Sequence, residues 1–162
     1  MSKKTISIII IAVLIIAALV VGGIFLLKNN QVKNIEGTLD EIMAKLYAGI
    51  PEEELPMMLG TIPVEAESVE YYVGTSEIDF KEVVASESMT GSIAHSVVLV
   101  RLNDASTAQD VVAKITENAD PRKWICVEAE KVAVKSKGDL VVLIMSNNDL
   151  AQKLVANFEG LE

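Results

Sequence analysis

Apolar residues along the chain fall into three regimes. From Ile6 to Leu27 they run on without a break: 22 residues with no charge, sixteen of them Ile, Leu, Val or Phe. At about 1.5 Å per residue, a helix of that length spans about 33 Å, roughly the thickness of a bilayer's hydrocarbon core. Backbone in lipid must bond to itself, so the pattern predicts a helix despite its many β-branched residues. A cleaved export signal has an apolar core of about 7–15 residues before a small-x-small site. Here the run is longer, Gly22 and Gly23 are followed by Ile24–Leu27, and no cysteine stands there to be lipidated. The reading is therefore a retained transmembrane helix at 6–27, behind a cytoplasmic tail at 1–5 and ahead of a polar linker at 28–34.

The second regime has helical spacing. Ile35, Leu39, Ile42, Met43, Leu46 and Ile50 recur on one face, Thr38 and Glu41 form a capping box, and Pro51 ends the run. Glu52-Glu53-Glu54 can open one more turn, and MMLGTIP reads as irregular. The third regime begins at Ser68. VEYYV, DFKEVVASES and HSVVLVRL read as strands, SESMTGS as a loop, and Asn103-Asp104 as a stop. Ser106 and Gln109 then read as a second capping box, opening a helix over Ser106–Ala119 with Ala108, Val111, Val112, Ile115 and Ala119 on its apolar face. PRKWICVEAE reads as extended chain because Trp124 and Cys126 alternate with Ile125 and Val127. KVAVKS and LVVLIMS flank the hairpin signal Lys137-Gly138-Asp139. Leu140–Met145 is apolar on both faces, which calls for cover on both sides. Asn147-Asn148-Asp149 caps a closing helix that turns Leu150, Leu154, Val155, Phe158 and Leu161 inward.

These elements predict an α+β fold at 35–162. It is an antiparallel sheet of four to five strands with two helices, Ser106–Ala119 and Leu150–Leu161, packed on one face. An N-terminal helix and the single transmembrane helix precede it. The N-terminal helix either packs on the sheet or serves as a stalk. The order of elements, with SVVLVRLNDASTAQDVVAKI and DPRKWICVEAEKVAVKSKGDLVVLIMSNND, resembles a family of small N-terminally membrane-anchored domains of unknown function from clostridia-like Gram-positive bacteria. The resemblance covers most of 35–160. It implies an extracytoplasmic domain on a single-pass anchor, and it offers no catalytic residues to carry over.

Charge adds the orientation. Lys3, Lys4 and the α-amine precede the apolar run, and Lys28 and Lys33 follow it. The lysines tie at two each, and the compact first group favours the N-terminus inside and the domain outside. Residues 1–33 hold four lysines and no acid, so 34–162 hold ten basic residues against all 23 acidic ones, a net of −13. Such a domain is repelled by an anionic membrane surface and lacks the basic stripe that nucleic acid requires. Its expected partners are the bilayer, through Ile6 to Leu27, and either another envelope protein or a second copy. Ala18 and Gly22, a small-xxx-small pair, are the candidate helix-dimer face.

Candidate chemistry is sparse. One cysteine, Cys126, and one histidine, His95, preclude both an internal disulfide and a zinc site of Cys and His ligands within one chain. A Cys126–His95 dyad would need the fold to bring them together; a buried Cys126 and a surface His95 are the plainer readings. Ser88, Thr90 and Ser92 around Gly91 match neither a phosphate loop nor a nucleophile elbow, and read as a hairpin loop. Glu52, Glu53 and Glu54 diverge from a helix start and read as a solvated face rather than a cation site. No catalytic, cofactor or metal residues emerge. Tyr71, Tyr72 and Trp124 are the candidate interaction surface, since aromatic rings supply contact area with a polar handle. On a strand, adjacent tyrosines would face opposite ways and expose at most one ring. The sequence thus favours a non-enzymatic, membrane-tethered binding module. The alternatives are an envelope enzyme assembling its acids from Asp79, Glu82, Glu87, Glu128 and Glu130, and a small-ligand sensor with a pocket against the sheet.

Overall fold

Residues 34–162 are described by the computed structural model. Five strands, β1 (Leu59–Pro63), β2 (Phe80–Ser88), β3 (Ser96–Leu102), β4 (Lys131–Lys137) and β5 (Leu140–Ser146), form one antiparallel sheet in the order β1-β2-β3-β5-β4. Four α-helices accompany it among the described residues: α1 (Leu39–Tyr47), α2 (Val69–Val73), α3 (Ala108–Asn118) and α4 (Asn148–Glu159).

The strands settle where the helices go. Every residue of β5 is buried, and β3 is buried at all but Arg101. Two apolar faces need two covers. Val84, Val97, Leu99, Val142 and Ile144 meet Leu39, Ile42, Leu46, Leu150, Leu154 and Phe158, so α1 and α4 share one face. Val83, Val98, Val100, Val141 and Leu143 meet Val69, Val73, Val111 and Ile115, so α2 and α3 share the other. This corrects the expected layout: the helices after Ser106 and before Leu161 lie on opposite faces. Covering one face alone would leave Val98, Val100, Val141 and Leu143 in water. The first helix packs on the sheet. The expected single membrane-crossing helix also has no counterpart in the described part: no helix there is long and apolar enough to cross a membrane, and residues 6–27, with Ala18 and Gly22, lie outside the described residues.

Local signals explain the helix ends. Thr38 Oγ1 accepts from the Glu41 N–H at 3.2 Å, and the Glu41 carboxylate accepts from the Thr38 N–H at 2.9 Å, so the capping box forms as expected. The Asn157 side-chain amide on α4 donates to Leu46 O at 2.7 Å and Ala48 O at 3.1 Å, satisfying carbonyls that the end of α1 leaves free. Asn147 Oδ1 accepts from the Leu150 N–H at 2.9 Å and caps α4. Asn147→Ala is expected to lower stability by about 1 kcal/mol in urea unfolding with an unchanged slope. The Ser106–Gln109 box does not form. Asp104 instead accepts from the Ser106 N–H at 2.8 Å, and a 3₁₀ turn over Ala105–Thr107 leads into α3.

Two segments exchange roles relative to the sequence reading. LGTIP, read as irregular, is β1, paired with β2 from Leu59↔Ser88 to Pro63↔Val84. VEYYV, read as a strand, is helix α2. Its Val69 and Val73, four apart, both enter the core, and Gly74 closes it at φ +83°. A Cβ on Gly74 would lie 2.1 Å from Asn118 O, so α2 can abut the end of α3 only with glycine there. The β4–β5 hairpin turns at Gly138-Asp139, with Gly138 at φ +60° in the first central position, as a tight hairpin requires.

One buried ion pair ties the start of the domain to the sheet. Arg101 on β3 bonds Asp139 at 2.9 Å, Ile35 O at 3.1 Å and Gly37 O at 2.9 Å.

Candidate functional site

Successive residues of a strand face opposite ways. At the end of the sheet where β2 leaves and β3 begins, this alternation builds two polar clusters back to back. Ser86 and His95 point to the α1/α4 face, and Glu87 and Ser96 point to the α2/α3 face.

On the second face the chain gathers its candidate aromatics. In α2 adjacent side chains are only about 100° apart, so Tyr71 and Tyr72 flank one region instead of opposite faces. Their rings meet edge to face, with centroids 5.1 Å apart and planes at 89°. Trp124 comes from the 119–130 segment, an irregular loop closed by the Ala129 N–H on Pro121 O at 2.9 Å. At the centre is Lys123. Its ammonium lies 5.1, 5.2 and 5.3 Å from the ring centroids of Tyr71, Tyr72 and Trp124. It also donates to Glu87 Oε1 and, at 3.1 Å, to Ser96 Oγ. The sequence reading selected all three aromatics and named Glu87 only among the acids of the enzyme alternative; it missed Lys123. The Lys123-Trp124 pair carried no signal, because Glu87, the carboxylate that Lys123 meets, lies 36 residues away.

The electrostatics follow from burial. The Lys123 and Glu87 side chains are only 7% and 17% exposed. Burial lowers the Lys123 amine's pKa, and the hydrogen bond and charge of Glu87 act against that. Burial first, then the negative charge of Glu87 and the neighbouring Tyr71, raises the Tyr72 phenol's pKa. Ser96 at 3.1 Å from a lysine has the spacing of a serine–lysine pair. The arrangement opposes that chemistry. With Lys123 in place Ser96 has no exposed surface for a substrate to reach, and the hydrogen bond to Glu87 favours the charged form of Lys123, whereas a general base must be neutral. What the cluster offers outwardly is contact: Tyr71 is 59% exposed and Ile125, beside Trp124, is 99% exposed.

Comparison with protein-family models, with curated proteins and with solved structures returns no match to the chain. The resemblance to membrane-anchored clostridial domains therefore rests on the order of elements and the strand-turn phrases.

Glu87 aside, the other sequence candidates stand apart from the cluster. His95, read as a surface residue, is fully buried. Its Nε2 lies 2.8 Å from the Tyr47 hydroxyl and its Nδ1 2.9 Å from Ser146 Oγ. Cys126, read as buried, is exposed, because the WICV stretch does not pair with the sheet. A dyad between them does not form, since both ring nitrogens of His95 are engaged elsewhere. Ser88 donates to Met57 O at 3.0 Å and lies 2.8 Å from the Thr90 hydroxyl, tying down the β2–β3 connection. Glu52–Glu54 form a 3₁₀ turn with Glu54 paired to Lys153. The five acids of the enzyme reading do not share a cleft. Asp79 accepts from Asn103, Glu87 from Lys123, Glu128 from Arg122 and Glu130 from Asn148, while Glu82 is exposed on β2. Among the described residues no group of three or more His, Cys, Asp or Glu is placed to hold a metal. Both faces of the sheet are filled by fully buried side chains. The grooves lie at the periphery, such as one of about 630 Å³ between the outer edge of β4 and α4.

Proposed function

We propose that the chain is a membrane-tethered, extracytoplasmic binding module that docks another envelope protein through the face formed by Tyr71, Trp124 and Ile125. The carrying observation is the convergence of all three candidate aromatics, with Ile125, the residue after Trp124, 99% exposed. Exposed aliphatic and aromatic side chains on neighbouring residues are the composition of an interface centre. The hydrophobic segment Ile6 to Leu27 supplies the attachment to the bilayer, and the lysines before it support an outside-facing domain. A net charge of −13 on residues 34–162 favours a basic partner and steers it inward.

The test is crosslinking in intact cells followed by capture of the full chain. Ile125→Asp and Tyr71→Ala are each expected to reduce the crosslinked partner at least about tenfold, as loss of an interface anchor does. Met57→Asp, at another exposed apolar position, should leave it unchanged. Capture of the monomer alone, or equal losses in all three variants, would sink the reading. External protease that spares 34–162 in intact cells would sink the outside orientation.

A further inference from the structure

The aromatic cluster is an ammonium site that already holds an occupant. Three rings face one Nζ, a carboxylate and a hydroxyl accept its protons, and a four-carbon stem leads it in. The parts differ in how firmly the fold holds them. Glu87 and Ser96 belong to paired central strands, and α2 is pinned through Val69, Val73 and Gly74 against α3. Lys123, by contrast, arrives on the irregular 119–130 loop, whose backbone closure rests on Ala129 N–H to Pro121 O and Lys123 N–H to Asp120 O. The receptor stands on paired strands and a packed helix, and its ligand is on a loop that rests on the same core through Trp124 and Ala129.

We propose that Tyr71, Tyr72, Glu87 and Ser96 form a receptor for the lysine side chain of a partner protein, and that Lys123 occupies it until that lysine displaces it. This rests on the docking reading above and names the chemistry at its centre. The geometry selects a primary ammonium over a quaternary one: Glu87 and Ser96 both accept hydrogen bonds, and a trimethylated nitrogen would leave both buried acceptors without a donor. It selects lysine over arginine, because the acceptors and rings converge on one point rather than on a planar fork. The acidic domain attracts a lysine-bearing surface. Displacing Lys123 moves its loop outward, and with it Trp124 and Ile125, so arrival of the partner's lysine would rearrange the apolar contact face beside it.

The experiment uses the full chain in detergent, with Trp124, the only tryptophan, as reporter. The probe is Nα-acetyl-lysine methylamide. Lys123→Ala vacates the site, and its Trp124 emission is expected to respond saturably to the probe. Affinity should fall at least about tenfold for the unmodified chain, for the trimethyl-lysine analogue and for K123A/E87Q. Ethanolamine, which has the ammonium without the four-carbon stem, should also bind at least about tenfold more weakly, since it forgoes burial of that stem. A folded K123A protein that ignores the probe overturns the proposal, and ethanolamine binding as well as the probe overturns the assignment to lysine.

A second measurement needs no variant. Acylation of Lys123 in the unmodified chain, read by mass spectrometry against exposed Lys131, should rise severalfold with the probe. An unchanged ratio overturns displacement. If these arms fail while Ile125→Asp still abolishes capture in cells, the lysine receptor falls and the docking face stands. If capture fails while the probe binds, the reverse holds.

Discussion

Arg101→Met is expected to destabilise the domain by about 3–5 kcal/mol, the usual consequence of removing one partner of a buried ion pair. The Arg101 and Asp139 side chains are 11% and 13% exposed. The substitution retains most of the aliphatic stem and removes the charge, the ion pair and the bonds to Ile35 O and Gly37 O. Asp139 would then keep a negative charge in a tight turn with no cation beside it. Its Oδ1 already lacks a hydrogen-bond partner among the described residues. If the stranded charge dominates, R101M/D139N should recover about half of the loss, because a neutral amide costs far less to bury than a carboxylate. Urea unfolding of the two variants decides it. A double variant as unstable as R101M would shift the cause to the two backbone carbonyls.

Acid is the second large lever, acting through His95. Its pKa is pushed down to about 4 by burial, against 6.5 for a free histidine. The Tyr47 hydroxyl donates its proton to Ser86 Oγ at 3.1 Å, so it accepts from Nε2–H of His95 and leaves Nδ1 to accept from Ser146. A neutral ring completes this chain of bonds. The bonded groups are all hydroxyls, with no carboxylate to favour an imidazolium. Because the folded value lies below the unfolded one, the unfolded state binds the extra proton first. The full stability is present above pH 6.5, falls as pH drops from 6.5 towards 4, and levels off below it, a loss of about 3 kcal/mol at about 1.4 kcal/mol per pH unit. His95→Gln, which has an amide in place of the titrating ring, should remove that slope. Subtracting the two stability–pH profiles isolates the histidine from the carboxylates. A difference that is flat between pH 6.5 and 4 would refute the assignment.

Legibility in the sequence tracked how local each signal was. The capping box at Thr38, the Asn147 cap, the Gly138-Asp139 turn and the doubly apolar β5 all sit within a few residues, and all are found where the pattern placed them. VEYYV failed because it is too short for periodicity to decide. Its β-forming residues outvoted the i, i+4 valines and the glycine after them. β1 failed for the opposite reason: an edge strand with Gly60 and Pro63 carries no alternation to read. The face assignment failed although the clue was at hand, since a strand apolar on both sides already demanded helices on both. The aromatics of the candidate site could be selected by type, but their meeting point could not. Only the register Glu87↔Ser96 and the turn into α2 bring Lys123, Glu87 and the rings together.

The two rims of the sheet have a further consequence. β1 ends in Pro63, which has no N–H to offer a neighbour, and β4 carries Lys131, Lys135 and Lys137 along the opposite rim. A neighbouring copy sliding in edge-on meets a missing donor on one side and, on the other, a strand whose Lys135 and Lys137 are tied to the end of α4. Among the described residues the sheet stops at five strands. Both rims therefore disfavour edge-to-edge pairing when many copies are crowded into a small area.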